Sequence, residues 1–559
     1  MQYKYNSYGH VLVLALLIFI TSACKKDGFL NVDPKGSLTD ESTFATEANA
    51  DLFVNDIYDQ LPDMNNESQL LDQWTDNSCV GATWMTGQSL IRSNALNPSN
   101  APDGPGAMFK WSENYSRIRR CNVFLQQAAK YRDHFSDEWY QQRVAEVKFL
   151  RALFYSFLYQ NYGGVPLISE PLNNQTMGDK IFIPRASMEE TLAFIEADCD
   201  AAAADLPTKA AATGRATKGA ALTLKGAVDL FAASILVNTN NDPARWAKAA
   251  AANKAVIDLN VYDLFPDYNG QFLAANNWNI ETIFARGYAV PSKGHRREGM
   301  QGPVIVHGVQ QAWGNLEPTQ NLVDDYEMAN GLPITDPASG YDPQQPYVNR
   351  EPRFYATIVY DGSTWQGYTF LSRVGGNNQI DLGSSSDISN TGYNGKKTLD
   401  ESILGQTSLG IYPGTSNYIF YRYAEVLLNY AEAQNEATGP DASVYSAINS
   451  VRRRAGLPAL PAGMTQTEMR INIRRERRIE LAFEDKRWYD IRRWDITTKG
   501  EAVLTHPQYG MKITTEANGR LTYTKVPIFN STFSQHMNWL PIPQSAMEQN
   551  TRLTPNAGY

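Results

Sequence analysis

Hydrophobic residues recur at helical spacing through much of the chain, and the clearest stripe runs over residues 217–237. Ala221, Leu224, Val228, Phe231 and Ile235 follow one another at alternating intervals of three and four. They therefore share one face of a 3.6-residue helix, and that face is predicted to be buried. A second stripe, Val147, Leu150, Phe154, Phe157 and Leu158, ends at Gly163-Gly164-Val165-Pro166, a helix stop. Helices are also predicted over 44–61, as a pair within 114–162, and over 188–206 (Leu192, Ile195, Cys199), 246–257, 418–436 (Tyr421, Ala424, Leu428, Ala431), 444–454 and 467–494.

Between residues 259 and 417 the helical signal is largely lost. Gly, Asn, Asp, Ser and Pro dominate there, with short β-prone pieces such as 354–360. Ala-rich helix pairs recurring roughly every thirty to forty residues suggest tetratricopeptide-like hairpins, although no clean consensus repeat is visible. The expected fold is thus mainly α: a superhelix of helical hairpins with a large irregular, loop-rich, partly β insertion that forms the ligand-binding part. The expected divisions are 1–23, 24–111 (an N-terminal segment), 112–258 (first part of the helical scaffold), 259–417 (the insertion) and 418–559 (second part of the scaffold and a tail).

The N-terminus changes the picture. Lys4 precedes an apolar run from Val11 to Ile20, and the small residues Ser22 and Ala23 lead into Cys24. This is a signal-peptide layout. The run is about ten residues, half the roughly twenty that a membrane-crossing helix needs. Small residues before a cysteine suit a lipoprotein-processing peptidase, so Cys24 is the expected lipid attachment site, although Thr21 stands where leucine is more usual. Ordinary cleavage, with Cys24 an incidental thiol, is the alternative. A lipid would anchor the chain without spanning.

The sequence has 559 residues, 43% apolar and 19% charged, so a sizeable core is available. Its net charge of −9 argues against a nucleic-acid partner, which would need a concentrated basic face. Beyond Cys24, only Cys79, Cys121 and Cys199 remain, too few and scattered for a disulfide framework or a zinc site. Neither a Gly-x-Ser-x-Gly elbow, a Walker loop nor His-Glu-x-x-His is present. His295 and His307 have no partner at metal-ligand spacing, so no metal or cofactor is expected.

Several blocks together resemble the SusD/RagB family of surface lipoproteins: FLNVDPKGSLTDESTF from Phe29, YSRIRRCNVFL from Tyr115, AEVKFLRALFYSFLYQNYGGVPL from Ala145, NLVDDYEMANG from Asn321, YRYAEVLLNYAEAQNEA from Tyr421, RRERRIELAFEDKRWYDIRRW from Arg474 and the tail LPIPQSAMEQNTRLTPNAGY from Leu540. The resemblance implies an α-helical fold with four tetratricopeptide-like pairs supporting a less regular ligand-binding part. It implies nutrient capture, usually of an oligosaccharide, at the cell surface. The expected partner is a SusC-like TonB-dependent transporter in the outer membrane, over which the protein acts as a lid. Enzymatic activity is not implied. Lys25-Lys26-Asp27 is less acidic than a strong surface-export signal, so surface exposure rests mainly on the resemblance.

The densest charge cluster, Arg474 to Trp494, reads as structure. Arg477 and Glu480, Glu480 and Glu484, and Arg487 and Asp490 lie three or four apart, while Trp488, Ile491 and Trp494 repeat every three, which describes a packed helix with an ion-paired, solvated outer face. Asp324-Asp325 and Glu484-Asp485 are the candidate carboxylate pairs for a glycosidase; the first falls in a family block and reads as structural or capping. Aromatic residues in loop-like segments are more telling. Trp74 and Trp84 flank Asp76-Asn77-Ser78; Trp278, Tyr288, Trp313 and Trp365 are scattered through the insertion beside Asn276, Asn277, Arg296, Asn315 and Arg373. Flat rings stack on the C–H faces of sugars while Asn, Asp and Arg bond the hydroxyl rim. The alternative for each ring taken singly is local core. In the resembled family the ligand aromatics come from the segment after the first helix and from the irregular part, which favours Trp84, Trp278, Tyr288 and Trp313. Trp139, Trp246, Trp488 and Trp494 are expected in the core. A peptide receptor of the same transport type and a surface glycosidase remain the competing readings.

Overall fold

The computed structural model describes residues 39–81, 86–100, 108–381 and 388–559. The signal segment, Cys24 and Trp84 lie outside the described residues.

The scaffold is a succession of packed helices: α1 (Glu47–Asp59), α2 (Trp111–Lys130), α3 (Asp137–Tyr162), α4 (Met188–Asp205), α5 (Lys218–Ala233), α6 (Pro243–Ile257), α7 (Tyr423–Thr438), α8 (Ala442–Arg454), α9 (Gln466–Glu480) and α10 (Arg487–Arg493). Each of α2 to α6 packs on the next, and α6 packs on α7, so the insertion leaves the helical stack unbroken. Local signals fix the ends. Ser136, Ser187, Thr217 and Thr465 cap the amino ends of α3, α4, α5 and α9, the second and fourth through reciprocal boxes with Glu190 and Glu468. Gly163 stops α3 at φ +80°, where a side chain would be strained.

The core follows the predicted stripes. Leu150, Phe154 and Leu158 of α3 and Leu224 and Val228 of α5 are fully buried in one cluster that also holds Trp139, Trp488 and Trp494. Trp246 is buried in a second cluster shared by α6 to α9. Ile235 falls beyond the end of α5 and is exposed, so that helix is shorter than its stripe implied. No helix among the described residues is long and apolar enough to cross a membrane.

Three predicted elements are corrected. Tyr418–Arg422 is not helix but strand β2, antiparallel to β1 (Thr282–Arg286), before α7 begins. Pairing with a distant strand outweighs the local stripe. The 354–360 piece is mostly the helical turn Pro352–Thr357, set by Pro352 in its first turn, with only Ile358–Val359 extended. The helix expected over 467–494 is two, α9 and α10, because Phe483 and Asp485 between them take φ near +60°. A hairpin of β3 (Gln508–Thr515) and β4 (Leu521–Phe529), which helical patterning had no means to reveal, lies in the C-terminal part.

The break between α9 and α10 grips the irregular part. Ile479, Ala482 and Phe483 enter a cluster with Leu316, Leu322, Tyr326 and Phe354. Around it the charges are internal. Arg422 donates to Glu281 (2.6 Å), Glu480 (2.7 Å) and Glu484 (2.7 Å), while Arg353, Arg454 and Lys397 complete the set. Burial opposes ionisation of Glu480, but Arg454, Arg422 and Arg353 outweigh it and hold its carboxyl well below the glutamate range. The solvated, locally paired face expected for this segment is thus replaced by buried long-range pairs: Arg477 bonds Asp490, and Arg487 bonds Asp76.

Candidate groove around Val80–Gly81

The segment 70–81 is wired into the core along its whole length. Asp72 accepts from Asn77 Nδ2 (2.7 Å) and from the backbone of Phe483 (3.3 Å) and Asp485 (3.0 Å). Burial, reinforced by Asp485, pushes the Asp72 carboxyl up to about 7. Asp76 takes a two-pronged bond from Arg487 (2.9 Å each) and an ion pair from Arg478 (2.8 Å). Trp74 stands edge-on to Trp488 at 5.4 Å and beside Phe109 at 4.7 Å, only 1% exposed. Trp74, Asp76 and Asn77 therefore face inward, where sequence spacing suggested a ligand surface.

Ser78–Cys79, still buried, pairs antiparallel with Glu317–Pro318. Gly81 follows, and a Cβ there would lie 2.7 Å from the carbonyl oxygen of Gly314, so this approach requires glycine. The close contact sets Trp313 beside Val80. Its half-buried ring packs with Val80, Met300 and Leu409, and its backbone N–H donates to Gly299 O (2.9 Å).

The same Val80–Gly81 segment borders a cavity of about 490 Å³. Asn390 ties one wall by donating to Val80 O (3.0 Å) and by its N–H to Glu317 Oε2 (2.8 Å). Gln88 ties another by donating to Gln73 O (2.7 Å). Arg92 donates through Nη2 to the carbonyls of Ser78 (2.9 Å), Gln73 and Thr75 (both 3.2 Å). Phe529, the last residue of β4, lies with its ring centroid 3.3 Å from the Arg92 guanidinium carbon. Asn530 and Thr532 complete the rim. Burial lowers the Arg92 pKa to about 9 and pushes the Cys79 thiol well up. An aromatic wall with amides, hydroxyls and one cation can hold a hydroxyl-rich ligand. Among the described residues no cluster of metal-ligating side chains is present.

The remaining candidates do not converge here. Tyr288 is buried, its hydroxyl donating to Asp63 (2.8 Å) and its ring edge-on to His295. Trp365 is core to a small cluster with Val306, Val359, Phe370 and Leu399. Arg373 is bound by Asp361 at 2.6 and 3.0 Å. Trp278 is half-buried at φ +60°, packed on Phe272, Ala285 and Ile419. The carboxylate pairs are likewise occupied: Asp325 with Arg478, Asp324 with Lys525, and Glu484 with Arg422 and Lys397. Gln88, Arg92, Asn390 and Phe529 escaped the sequence reading because three different parts of the chain supply them. Of the four, only Phe529 ends a strand.

Two family profiles match. One, described as starch-binding and associating with the outer membrane, covers residues 28–230; the other, described as the SusD family, covers 280–559. The chain belongs to the SusD family. Members of the SusD family are binding proteins rather than enzymes. SusD-like protein P2 of Formosa agariphila is 25% identical over 95% of this chain and 96% of its own length. A SusD-like protein of Bacteroides fragilis superposes with a TM-score of 0.77 at 29% identity, over 93% of this chain and all but 1% of that one. A SusD-like carbohydrate-binding protein of the same organism gives 0.77 at 25% identity over 92% of this chain and the whole of the other.

Proposed function

We propose that this SusD-family protein is a lipid-anchored glycan receptor of the outer membrane, binding an oligosaccharide at the Val80–Gly81 groove and delivering it to a SusC-like TonB-dependent transporter over which it acts as a lid. The observation that carries the reading is the groove itself. An aromatic ring at Trp313 and a largely apolar cavity that carries the polar groups of Asn390 and Arg92 beside Phe529 flank one segment, as stacking plus hydrogen bonding to a sugar requires. Family membership supports it, as do the profile description and the carbohydrate-binding relative. Cys24, outside the described residues, is the proposed lipid site, and the anchor places the receptor beside the transporter. Trp84 and Trp278 stay in the proposal as accessory rings.

Calorimetry of the mature chain against glycan and peptide panels tests the reading. Micromolar glycan binding that Trp313→Ala weakens is the expected result. Peptide binding with no glycan binding would sink it. For the transport role, deletion of the SusC-like transporter should leave surface binding intact and abolish uptake.

A further inference from the structure

The cavity beside Val80–Gly81 has an unbalanced charge. Arg92 is the one formally charged side chain among its described lining residues. Its guanidinium bonds only neutral acceptors there, the carbonyls of Ser78, Gln73 and Thr75, all through Nη2. Asp76, the acid of the same turn, is taken instead by Arg478 and Arg487. Glu317 sits behind the wall, next to the Cys79 thiol and accepting from the Asn390 backbone. Buried cations in proteins are normally paired, and an unpaired one is destabilising. Here burial draws the guanidinium pKa down to about 9, with Cys79 and Asp76 offsetting it only in part. The Phe529 ring covers one face, and Nε and Nη1 keep donors that the carbonyls, all bound through Nη2, do not use.

We propose that this cavity accepts an anionic sugar residue, bearing a carboxylate or a sulfate ester, whose charged group pairs with Arg92 while its hydroxyls meet Asn530 and Thr532. The proposal rests on the glycan reading and narrows it. With Nη2 held by the three carbonyls, a remaining guanidinium N–H can donate a charge-assisted bond to either oxyanion.

Titration calorimetry of the mature chain decides it. The probes are uronic-acid oligosaccharides, sulfated oligosaccharides, and the neutral counterparts of each made by carboxyl reduction or desulfation. One acidic series should bind roughly tenfold or more tightly than its neutral counterpart, an advantage that salt erodes. The series that shows it separates carboxylate from sulfate. Arg92→Gln should bring the acidic series and its neutral counterpart to equal affinity, whatever it does to neutral binding; if that variant misfolds, the paired wild-type titrations still decide. Equal binding of charged and neutral forms overturns the acidic assignment and leaves the glycan reading intact. Absence of binding to every glycan overturns both.

Discussion

Replacing Arg422 by methionine tests whether the buried ionic joint holds the irregular part to the helices. Arg422 is 1% exposed and contacts three carboxylates, Glu281, Glu480 and Glu484, at 2.6–2.7 Å. At an effective dielectric near 20, unit charges about 4 Å apart attract by about 4 kcal/mol, and dehydrating the guanidinium offsets much of that gain. Methionine keeps the volume but strands the acids with Arg353, Arg454 and Lys397 alone. Breaking a buried pair from one side costs about 3–5 kcal/mol. The exposed pair Lys254–Asp258 is the control, at about 0.3–0.5 kcal/mol for Lys254→Gln. Urea titrations followed by tryptophan fluorescence and circular dichroism read both.

The pH dependence adds a signature. Glu480 and Glu484 are held below their ordinary range in the native protein. Their contribution is therefore complete above the unfolded value, about 4.3, and lost as pH falls through the depressed native one. Without Arg422 the acids titrate higher, so the variant's deficit should be largest at neutral pH and shrink towards pH 5. A deficit below about 1 kcal/mol, or one that does not change with pH, would refute the reasoning.

Asp229 on α5 is held protonated, its carboxyl raised to about 8 by burial and by Glu196. The native state then binds the extra proton between about 3.9 and 8, so stability falls as pH rises through that window. Asp229→Asn mimics the acid and should gain on the wild type from pH 6 to 9 in thermal melts; a parallel pair of curves would contradict this. Trp313→Ala should weaken glycan binding by about 1–3 kcal/mol with little change in melting, because its ring is half-buried. Trp365→Ala should instead lower stability by about 3–5 kcal/mol, since that ring is enclosed; loss of affinity without loss of stability would reverse the assignment. The thiols of Cys79, Cys121 and Cys199 are buried and free. They should resist alkylation in the native protein and react in denaturant, and rapid native labelling observed by mass spectrometry would show the core to be open.

The helices were legible because their information is local. Capping residues such as Ser187 with Glu190, the apolar stripes of α3 and α5, and Gly163 each act within a few positions. The site was less legible because its determinants are distant. Trp74, Asp76 and Asn77 look like a loop motif, and only Arg478 and Arg487, some four hundred residues away, turn them inward. The mixed charges of α9 and α10 fit local pairing equally well, until a six-residue break with two left-handed residues redirects them into the core. Arg92 carries no periodic signal, and its meaning depends on which acids are already taken.

The walls of the cavity come from Gly81 and Arg92, from Asn390, and from Phe529 at the end of the last hairpin. No shorter length of polypeptide encloses it. A chain emerging amino end first has every helix of the scaffold, the last ending at Arg493, before Phe529 arrives to complete the pocket wall. A complete pocket thus requires the last hairpin. A copy that stops short of Phe529 therefore lacks one wall of the pocket, and because Phe533, Met537, Leu540 and Ile542 lie in the main core, loss of the tail should loosen the helical body as well.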